Sequence, residues 1–412
     1  MATIIIKNVG PIKDTKNLEL NKINVFMGPQ CSGKSTIAKI ISFCTWKEKK
    51  MARDGMFDLF DEKAEDTWIE ELKMYHRLSN GYFSKESAIY YRGNYIDYSF
   101  NCKYNDSIED IEITGTNNEN LNFKSGGRTF SSKIIYIPAE RNFVSVIPNL
   151  EKFSENRDFI QDFVTNWFEA KRTYNHENKL SILDLGIKYH TDGTDNDFLT
   201  LDNGKKITLQ VASSGLQSIV PLLALVEYIA TDIYGKSMPM SVNERDALMK
   251  QYNEMLKIKK EAEETIDSKD LEMLLDLILS KNYVNSQFII EEPEQNLFPS
   301  TQRDLVYHLL QLITGERDHR LTITTHSPYI LYALNNCMMA GHVYDKMKAD
   351  DQNRLKCQYA KIDPSKVSIY EITANGTLEH IQRENGLIRK NYFDKQMKEL
   401  MDDFYVMLNY YS

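Results

Sequence analysis

The feature that most constrains this chain is a short glycine-rich loop that follows the apolar stretch Ile23–Met27. Residues 28–35 are Gly-Pro-Gln-Cys-Ser-Gly-Lys-Ser, a full match to the pattern G-x-x-x-x-G-K-S/T. In this P-loop pattern the backbone N–H groups cradle a phosphate, and the dipole of the following helix adds positive potential. A helix is predicted directly after the loop, because Ile37, Ile40 and Ile41 recur at helical spacing. The chain is therefore expected to bind a nucleotide here.

Each position of this loop has an expected role. Lys34 is expected to contact the β- and γ-phosphates, and the Ser35 hydroxyl is expected to bind a Mg²⁺ ion. The other expected contacts come from Gly28, Pro29, Gln30, Cys31, Ser32, Gly33 and Thr36. A glycine turn before a helix could match by chance, but the strand before it and the helix after it supply the context that the motif requires. Kinases, GTPases, transport ATPases and motor-like ATPases share this loop, so the rest of the chain must discriminate among them.

The composition places the chain among soluble globular proteins. Of its 412 residues, 42% are hydrophobic and 26% are charged, which suits two or three packed lobes. The net charge of −9 argues against a surface that coats nucleic acid non-specifically, although a local basic groove stays open. Five cysteines without a C-x-x-C spacing suggest neither a disulfide framework nor a zinc site, and they fit a reducing cytoplasm. The start of the chain does not resemble a signal peptide, and the apolar stretch 219–230 is about half the length of a membrane span.

A second element of the predicted site is a strand that ends in carboxylates. The stretch 287–290 is followed by Glu291 and Glu292 and, after a proline, by Glu294. A buried strand can hold Glu291 near the Mg²⁺ ion, while Glu292 can lean toward the γ-phosphate and orient a water molecule. Acidic residues after a strand are often only a solvated turn, but the P-loop upstream favours the functional interpretation.

Two further apolar stretches end in polar residues. Residues 321–325 lead to His326, and residues 133–137 lead to Glu140 and Arg141. The carboxyl ends of parallel strands form the ligand-binding edge of an α/β sheet, so these residues are expected near the same phosphate. A single histidine at a strand end is more often structural. His326 is a candidate because three strands end at the same expected edge, and Glu140 is a candidate for contact with the nucleotide.

A third element combines small polar residues with an apolar helix. The hairpin signal at 202–204, Asp-Asn-Gly, leads the chain to residues 213–218, Ser-Ser-Gly-Leu-Gln-Ser, and an apolar helix follows. Such a helix start can bind an anion, and its candidate residues are Ser214, Gly215 and Gln217. The alternative is an ordinary serine cap.

The remaining segments suggest how the chain is organised. Residues 82–130 alternate Tyr, Ile and Phe with turn residues, which predicts an antiparallel β lobe. Its aromatic side chains could stack nucleic-acid bases, but a packed sheet face is the expected interpretation. These aromatic residues are Tyr90, Tyr91, Tyr95, Tyr98 and Phe100. A charged segment at 241–285 is expected to form a helical insertion or arm between the first part of the head, 1–240, and the second part, 286–412.

The order of these elements resembles a known kind of ATPase. Besides the P-loop, the resemblance rests on four segments: 137–141, 213–218, 291–299 and 325–328. The chain resembles an ABC-type ATPase head of the kind found in SMC and DNA-repair ATPases. More closely, it resembles the ATPase domain of OLD-family nucleases and related bacterial phage-defence AAA ATPases. The resemblance implies an α/β P-loop NTPase fold of the ABC type, with a mixed central sheet, an N-terminal antiparallel β lobe and a helical insertion.

The resemblance also implies roles in ATP hydrolysis. Glu292 would polarise the attacking water, and Glu291 would support Mg²⁺ together with Ser35. His326 would contact the γ-phosphate as a switch, and Lys34 would hold the phosphates. The implied ligands are ATP and Mg²⁺, and the implied products are ADP and phosphate.

The resemblance further implies a homodimer or higher oligomer in which two heads enclose two ATP molecules. Ser214, Gly215 and Gln217 would belong to a signature loop that completes the site of a second protomer. Glu140 stands roughly where ABC proteins have a glutamine loop. ATP binding would hold the heads together and hydrolysis would release them, so ATP would act as a conformational signal.

The sequence departs from the family pattern at three places. Leu216 replaces the second glycine of the ABC signature, and Glu291 stands where an aspartate is usual. The residues after His326 show no Glu and Asp-x-Asp arrangement on strands, so the TOPRIM nuclease domain of the OLD family is expected to be missing. We therefore expect a cytoplasmic ATPase switch whose output is supplied by a separate effector protein, in bacterial anti-phage defence.

Other functions stay open. A DNA-repair or DNA-tethering ATPase would bind duplex DNA through its dimer groove or its charged arm, although the net charge of −9 weighs against it. A scaffold would bind ATP and assemble a complex with little turnover. A membrane-transporter subunit is disfavoured by the atypical signature and by the large insertion before the strand that ends in Glu291.

Overall fold

The fold is taken from a computed structural model of the chain. It describes residues 2–54, 68–94, 96–104, 108–116, 132–147, 150, 158–193, 196–234 and 283–411. The predicted helical insertion at 241–285 lies outside the described residues except for its last three positions. The division of the chain into a first part, an insertion and a second part therefore stays a prediction.

Strands and helices alternate along the described chain. The strands are β1 (Ala2–Val9), β2 (Ile12–Asp14), β3 (Leu18–Leu20), β4 (Ile23–Met27), β5 (Ala88–Arg92), β6 (Ile96–Tyr104), β7 (Ile108–Thr116), β8 (Ser132–Ile137), β9 (Leu180–Ser181), β10 (Lys188–Thr191), β11 (Asp197–Thr200), β12 (Lys206–Thr208), β13 (Asn285–Glu291), β14 (Arg320–Thr325), β15 (Val367–Ile372) and β16 (Leu378–His380). The helices are α1 (Lys34–Asp54), α2 (Trp68–His76), α3 (Phe143–Val146), α4 (Phe159–Lys171), α5 (Ser214–Glu227), α6 (Pro299–Ile313), α7 (Pro328–Val343), α8 (Ala349–Arg354) and α9 (Tyr392–Leu408).

A mixed sheet in the order β16-β15-β4-β14-β13-β8 forms the centre of the fold. All neighbours pair in parallel except β16, which is antiparallel to β15. Ile290 of β13 lies opposite Ile137 of β8 and Ile323 of β14, and Ile323 lies opposite Val25 of β4. These side chains are buried, as expected for strands covered on both faces. Because β4, β8, β13 and β14 run the same way, the candidate residues that follow them meet at one edge of the sheet.

The N-terminal part of the chain contributes a separate antiparallel sheet, in the order β2-β1-β5-β6-β7, with β3 also paired to β1. The predicted β lobe is confirmed over β5, β6 and β7. One face of this sheet packs on α1: Tyr98 donates its hydroxyl to Cys44 O at 2.8 Å, and Tyr91 donates to Glu48 Oε2 at 2.8 Å. Tyr91, Tyr98 and Phe100 are fully buried, so the packed-face interpretation is confirmed for them. It is wrong for Tyr90, which is 41% exposed, and Tyr95 lies outside the described residues.

Helix α5 is the apolar core helix that the sequence indicates. A small antiparallel sheet, β12-β11-β10-β9, precedes it, and the predicted hairpin turn lies between β11 and β12 with Gly204 at φ 78°. The helix continues as one π turn, Tyr228–Asp232. Residues 214–232 are long and apolar enough to cross a membrane, but 61% of the stretch is buried inside the fold. Its apolar side chains pack in the main core with the central sheet, as in the core helix of a globular domain.

The C-terminal helix α9 differs from the other long helices. Asn391 and Asp394 form a capping box at its start, and Tyr332 of α7 donates a hydrogen bond to Asp394 Oδ1 at 3.0 Å. None of its residues is buried, and apolar side chains such as Leu400 and Phe404 are more than half exposed. The helix is therefore anchored at one end while its apolar positions face outward.

Candidate nucleotide-binding site

The P-loop joins the carboxyl end of β4 to the first turn of α1. Gly28 has φ 153° and Gly33 has φ 103°. A Cβ atom at Gly28 would lie 2.5 Å from Ile372 O, and one at Gly33 would lie 2.4 Å from Ile12 Cδ1. Both glycines are thus required by close packing as well as by backbone conformation. The loop is held between the end of β15 and the β2 strand, at the edge where the central strands end.

Lys34 is a buried cation at the start of α1. It is 4% exposed, and its Nζ donates to Gly28 O at 3.0 Å and to Pro29 O at 2.7 Å. Burial lowers the pKa of this lysine, and the carboxylates of Glu292 and Glu294 raise it in part. An anionic phosphate in the loop would further favour the charged form of the lysine.

Glu291 is the buried carboxylate of the site. It is 5% exposed, and its Oε1 has no hydrogen-bond partner among the described residues. Burial raises the pKa of this carboxyl, while the hydroxyls of Tyr136 and Ser35 and the charge of Lys39 lower it in part. A buried carboxylate oxygen without a partner, beside the Ser35 hydroxyl, fits a hard divalent cation such as Mg²⁺.

The ligand set for such an ion is small. Within the described part of the chain, no group of three or more His, Cys, Asp or Glu side chains could hold a metal by itself. Mg²⁺ in nucleotide sites is held by one or two protein oxygens, and phosphates and water complete the shell. Ser35 and Glu291 match that requirement, so the residues present fit a nucleotide-bound Mg²⁺ ion.

Glu292 is the open carboxylate of the site. Its backbone lies in the left-handed region at φ 42°, and its N–H donates to Thr324 O at 3.0 Å. Its Oε1 lies 3.2 Å from His326 Nε2, and the two side chains are 32% and 36% exposed. The hydrogen bond from His326 lowers the pKa of this carboxyl, although partial burial opposes the shift. Glu292 is therefore an ionised carboxylate with access to solvent.

Glu294 fixes the turn that carries the histidine, a role that the sequence pattern did not suggest. This carboxylate is buried, and its Oε1 accepts from Thr325 Oγ1 at 2.8 Å and from His326 N at 2.6 Å. Ser327 then caps α7 by accepting from Tyr329 N at 3.1 Å. In the sequence, the indication of this role was the third carboxylate of the segment Glu-Glu-Pro-Glu, residues 291–294. Its contacts join the ends of β13 and β14.

Arg141 has a structural role at this site that sequence reasoning did not predict. Glu140, the candidate contact, is exposed, whereas Arg141 is fully buried at the end of β8. The guanidinium of Arg141 donates to the carbonyls of Glu291 and Glu292, each at 2.9 Å. Burial lowers the pKa of Arg141 to about 10, and nearby glutamates oppose this shift, so it stays charged at neutral pH. In the sequence, the indication of this role was a basic residue directly after Glu140.

The signature residues lie at the start of α5. Ser213 stands at the N-cap position but makes no side-chain cap hydrogen bond, so an ordinary serine cap does not describe it. Ser213 and Ser214 are exposed. Gly215 packs on the loop after the carboxylates, where a Cβ would lie 2.8 Å from Asn296 O. Gln217 Nε2 donates to Gln210 O at 2.8 Å within the same chain.

Comparison with known proteins identifies the family of this chain. A family model described as an AAA domain matches residues 3–297, well over half of the chain. The chain belongs to this AAA domain family. The match contains the P-loop, both candidate glutamates and the start of α5. No protein with a curated description matches the sequence.

Several solved structures are similar to this AAA domain protein at low identity. The SMC head domain from Thermotoga maritima is 10% identical, with 80% of this chain and 90% of that chain covered and a TM-score of 0.35. An Smc head domain derived from Pyrococcus furiosus, bound to the C-terminal domain of ScpA, is 10% identical over 98% and 99% of the chains, with a TM-score of 0.39. The dimeric structure of a bacterial ABC transporter cassette is 12% identical over 92% and 99%, with a TM-score of 0.27.

The family match and the topology agree on the fold class. The P-loop follows β4, and β14 lies between β4 and the carboxylate strand β13. The AAA domain protein is therefore an α/β P-loop NTPase with a mixed central sheet and an N-terminal antiparallel sheet, as the sequence predicted. The family match indicates that this domain binds ATP.

Proposed function

We propose that this head binds Mg-ATP and hydrolyses it to ADP and phosphate, with Glu292 polarising the attacking water. The observation that carries the proposal is the 3.2 Å contact between Glu292 Oε1 and His326 Nε2. The hydrogen bond from His326 lowers the pKa of Glu292, so the side chain is ionised at neutral pH and can accept a hydrogen bond from the attacking water. The Glu292–His326 pair lies at the same edge of the central sheet as the P-loop.

The chain's own residues divide the work at this edge. The P-loop N–H groups and Lys34 would hold the phosphates, and Ser35 and Glu291 would hold Mg²⁺. A bound Mg²⁺ ion would supply charge neutralisation for the phosphates. Glu292 would orient the water, and His326 would hold Glu292 in place and contact the γ-phosphate.

Two substitutions test the enzymatic part of the proposal. Lys34→Ala should weaken ATP binding, measured with a fluorescent ATP analogue, whereas Glu292→Gln should keep that binding and reduce phosphate release about 10²–10⁴-fold. Glu379→Gln, an exposed carboxylate on the edge strand β16, is the matched control and should leave both measurements unchanged. Unchanged phosphate release in Lys34→Ala and Glu292→Gln would refute the assignment.

The proposal includes an ATP-dependent dimer or higher oligomer. The exposed start of α5, with Ser214, Gly215 and Gln217, would face the γ-phosphate bound by a second protomer. Support comes from the open helix N-terminus, where the backbone N–H groups and the helix dipole favour an anion. Light scattering on Glu292→Gln with and without Mg-ATP is the test. A doubling of mass with Mg-ATP supports the dimer, and an ATP-independent mass contradicts it.

We further propose that the head acts as a switch for a separate effector in bacterial anti-phage defence. The resemblance to OLD-family ATPase domains supports this part. Wild-type and Lys34→Ala chains expressed in the native host should differ in plaque counts after phage challenge. Equal counts would contradict the defence role, and DNA-stimulated hydrolysis with steep salt dependence would support a DNA-tethering ATPase instead.

A further inference from the structure

Arg141 connects two parts of the molecule that are distant in sequence. All five N–H groups of its guanidinium donate to main-chain carbonyls. Nη1 donates to Pro138 O at 3.3 Å and Glu291 O at 2.9 Å, and Nη2 donates to Glu292 O at 2.9 Å and Pro293 O at 3.1 Å. The fifth donor, Nε, reaches Ser218 O in the first turns of α5 at 3.2 Å. One side chain thus holds the carboxylate loop, defined as residues 291–296, and the signature segment, defined as residues 213–218.

The contacts of Arg141 fix the direction of the catalytic glutamate. Three consecutive carbonyls of the carboxylate loop, 291 to 293, point at one planar guanidinium. Glu292 in the middle has φ 42°, a conformation that a residue with a Cβ adopts only when its surroundings impose it. A lysine could not replace this arrangement, because an ammonium group has no planar fork and three donors instead of five.

Two further contacts join the same segments. Gly215 of the signature segment approaches Asn296 of the carboxylate loop so closely that a Cβ would lie 2.8 Å from Asn296 O. Ser145 of α3, four residues after Arg141, donates its hydroxyl to Gln217 O at 2.9 Å. The two segments therefore touch directly as well as through Arg141, and a shift of one would move the other.

Charge neutralisation does not explain the geometry of Arg141. It is fully buried, and four glutamates lie near enough to raise its pKa, yet its five hydrogen bonds all go to carbonyls rather than to a carboxylate. A residue that served only to balance charge would be expected to form an ion pair with one of them. The fork instead determines the relative position of two backbone segments.

We propose that Arg141 is a positioning residue that couples the carboxylate loop, which faces a protomer's own ATP, to the signature segment, which faces the partner's ATP. The inference rests on the proposed ATP-dependent dimer. Through Arg141, the position of Glu292 at a protomer's own ATP determines the position of the signature segment that contacts the partner's ATP. The two sites of a dimer are then energetically linked, and ATP hydrolysis is cooperative.

Arg141→Lys tests this coupling, since it keeps the charge and removes the fork. We expect the Hill coefficient of ATP hydrolysis to fall from above 1 in the wild type to about 1. In the Glu292→Gln background, the same change should weaken ATP-dependent dimerisation by about tenfold, while affinity for a fluorescent ATP analogue in the dilute monomer stays within about twofold. Arg77→Lys, at a half-exposed ion pair with Asp158, is the matched control.

The outcomes separate this inference from the proposed function. If Glu292→Gln alone does not dimerise with Mg-ATP, the proposed function fails. If it dimerises, and Arg141→Lys lowers the melting temperature but leaves the Hill coefficient and dimerisation unchanged, the coupling role is overturned. If Arg141→Lys does not fold, Ser145→Ala provides the test, because it removes only the hydroxyl that contacts Gln217 O. About threefold weaker dimerisation in Ser145→Ala supports the coupling, and unchanged dimerisation overturns it.

Discussion

Two halves of the site edge have opposite environments, although the carboxylates that define them are adjacent in sequence. Glu291 is 5% exposed and its pKa is raised by burial, whereas the Glu292 side chain is 32% exposed and its pKa is lowered by His326. The buried half fits a cation and the open half fits a water molecule. The comparison shows how a strand end can give two identical side chains different chemistry.

The physical reason is the direction of the chain at the end of β13. Successive residues of a strand point to opposite faces, so Glu291 faces the core side beside Ser35 and Tyr136. The left-handed conformation of Glu292 then turns its side chain toward His326 at the end of β14. A continued strand or an ordinary turn would not place the second carboxylate there.

The most direct test of this contrast is to remove the charge of each carboxylate in turn and to measure how much Mg²⁺ the binding of ATP then requires. Glu291→Gln should raise the Mg²⁺ concentration needed for half-maximal binding of a fluorescent ATP analogue by about 10–100-fold, since a charged ligand of the ion is lost. Glu292→Gln should leave this Mg²⁺ requirement unchanged and affect hydrolysis alone. Equal Mg²⁺ requirements in both variants would contradict the division into a metal half and a water half.

The next prediction concerns the hydrogen bond in the open half. His326→Ala should reduce kcat by about 10–100-fold, because a hydrogen bond to a charged group contributes roughly 1.5–3 kcal/mol and each 1.4 kcal/mol is tenfold in rate. Without His326 the pKa of Glu292 rises, so the acidic limb of the kcat/KM profile should move to higher pH.

The control for that prediction is His342→Ala. His342 lies on the last turn of α7 and contacts Asn385 O at 2.7 Å, away from the carboxylates. It should leave the pH profile unchanged. A His326→Ala profile with reduced rate and an unmoved acidic limb would show that the histidine does not act through Glu292.

The smallest predicted effect is on stability without nucleotide. The pKa of Glu291 is raised in the folded protein, so this side chain contributes most to stability at low pH, where it is protonated. The contribution is lost as the pH rises from the ordinary pKa of 4.5 through the raised pKa. Glu291→Gln should therefore raise the melting temperature by about 2 °C near pH 8 and have less effect near pH 5. Glu292→Gln should lower the melting temperature slightly at about pH 8. The lowered pKa of Glu292 means that its ionised side chain stabilises the fold above pH 4.5, and this contribution is lost as the pH falls. Differential scanning calorimetry in EDTA measures both, and shifts of the same sign would remove the contrast.

The sequence by itself determined the elements that local patterns encode. Spacing placed the P-loop between a strand and a helix, and apolar runs before Glu291 and His326 predicted two strands that end at one edge. Alternation with turn residues predicted the β lobe. These features depend on neighbours within a few positions of each other, so they can be recognised without knowledge of the tertiary fold.

Only the tertiary structure decided how the edge is assembled. Arg141 lies 150 positions from Glu291 and 77 from Ser218, and no local pattern predicts that one guanidinium joins both. The opposite pKa shifts of two adjacent glutamates likewise depend on side chains from other strands. Burial and hydrogen bonds between distant segments exist only after the chain has folded, which is why residue types indicated the chemistry while the fold alone assigned each residue its environment.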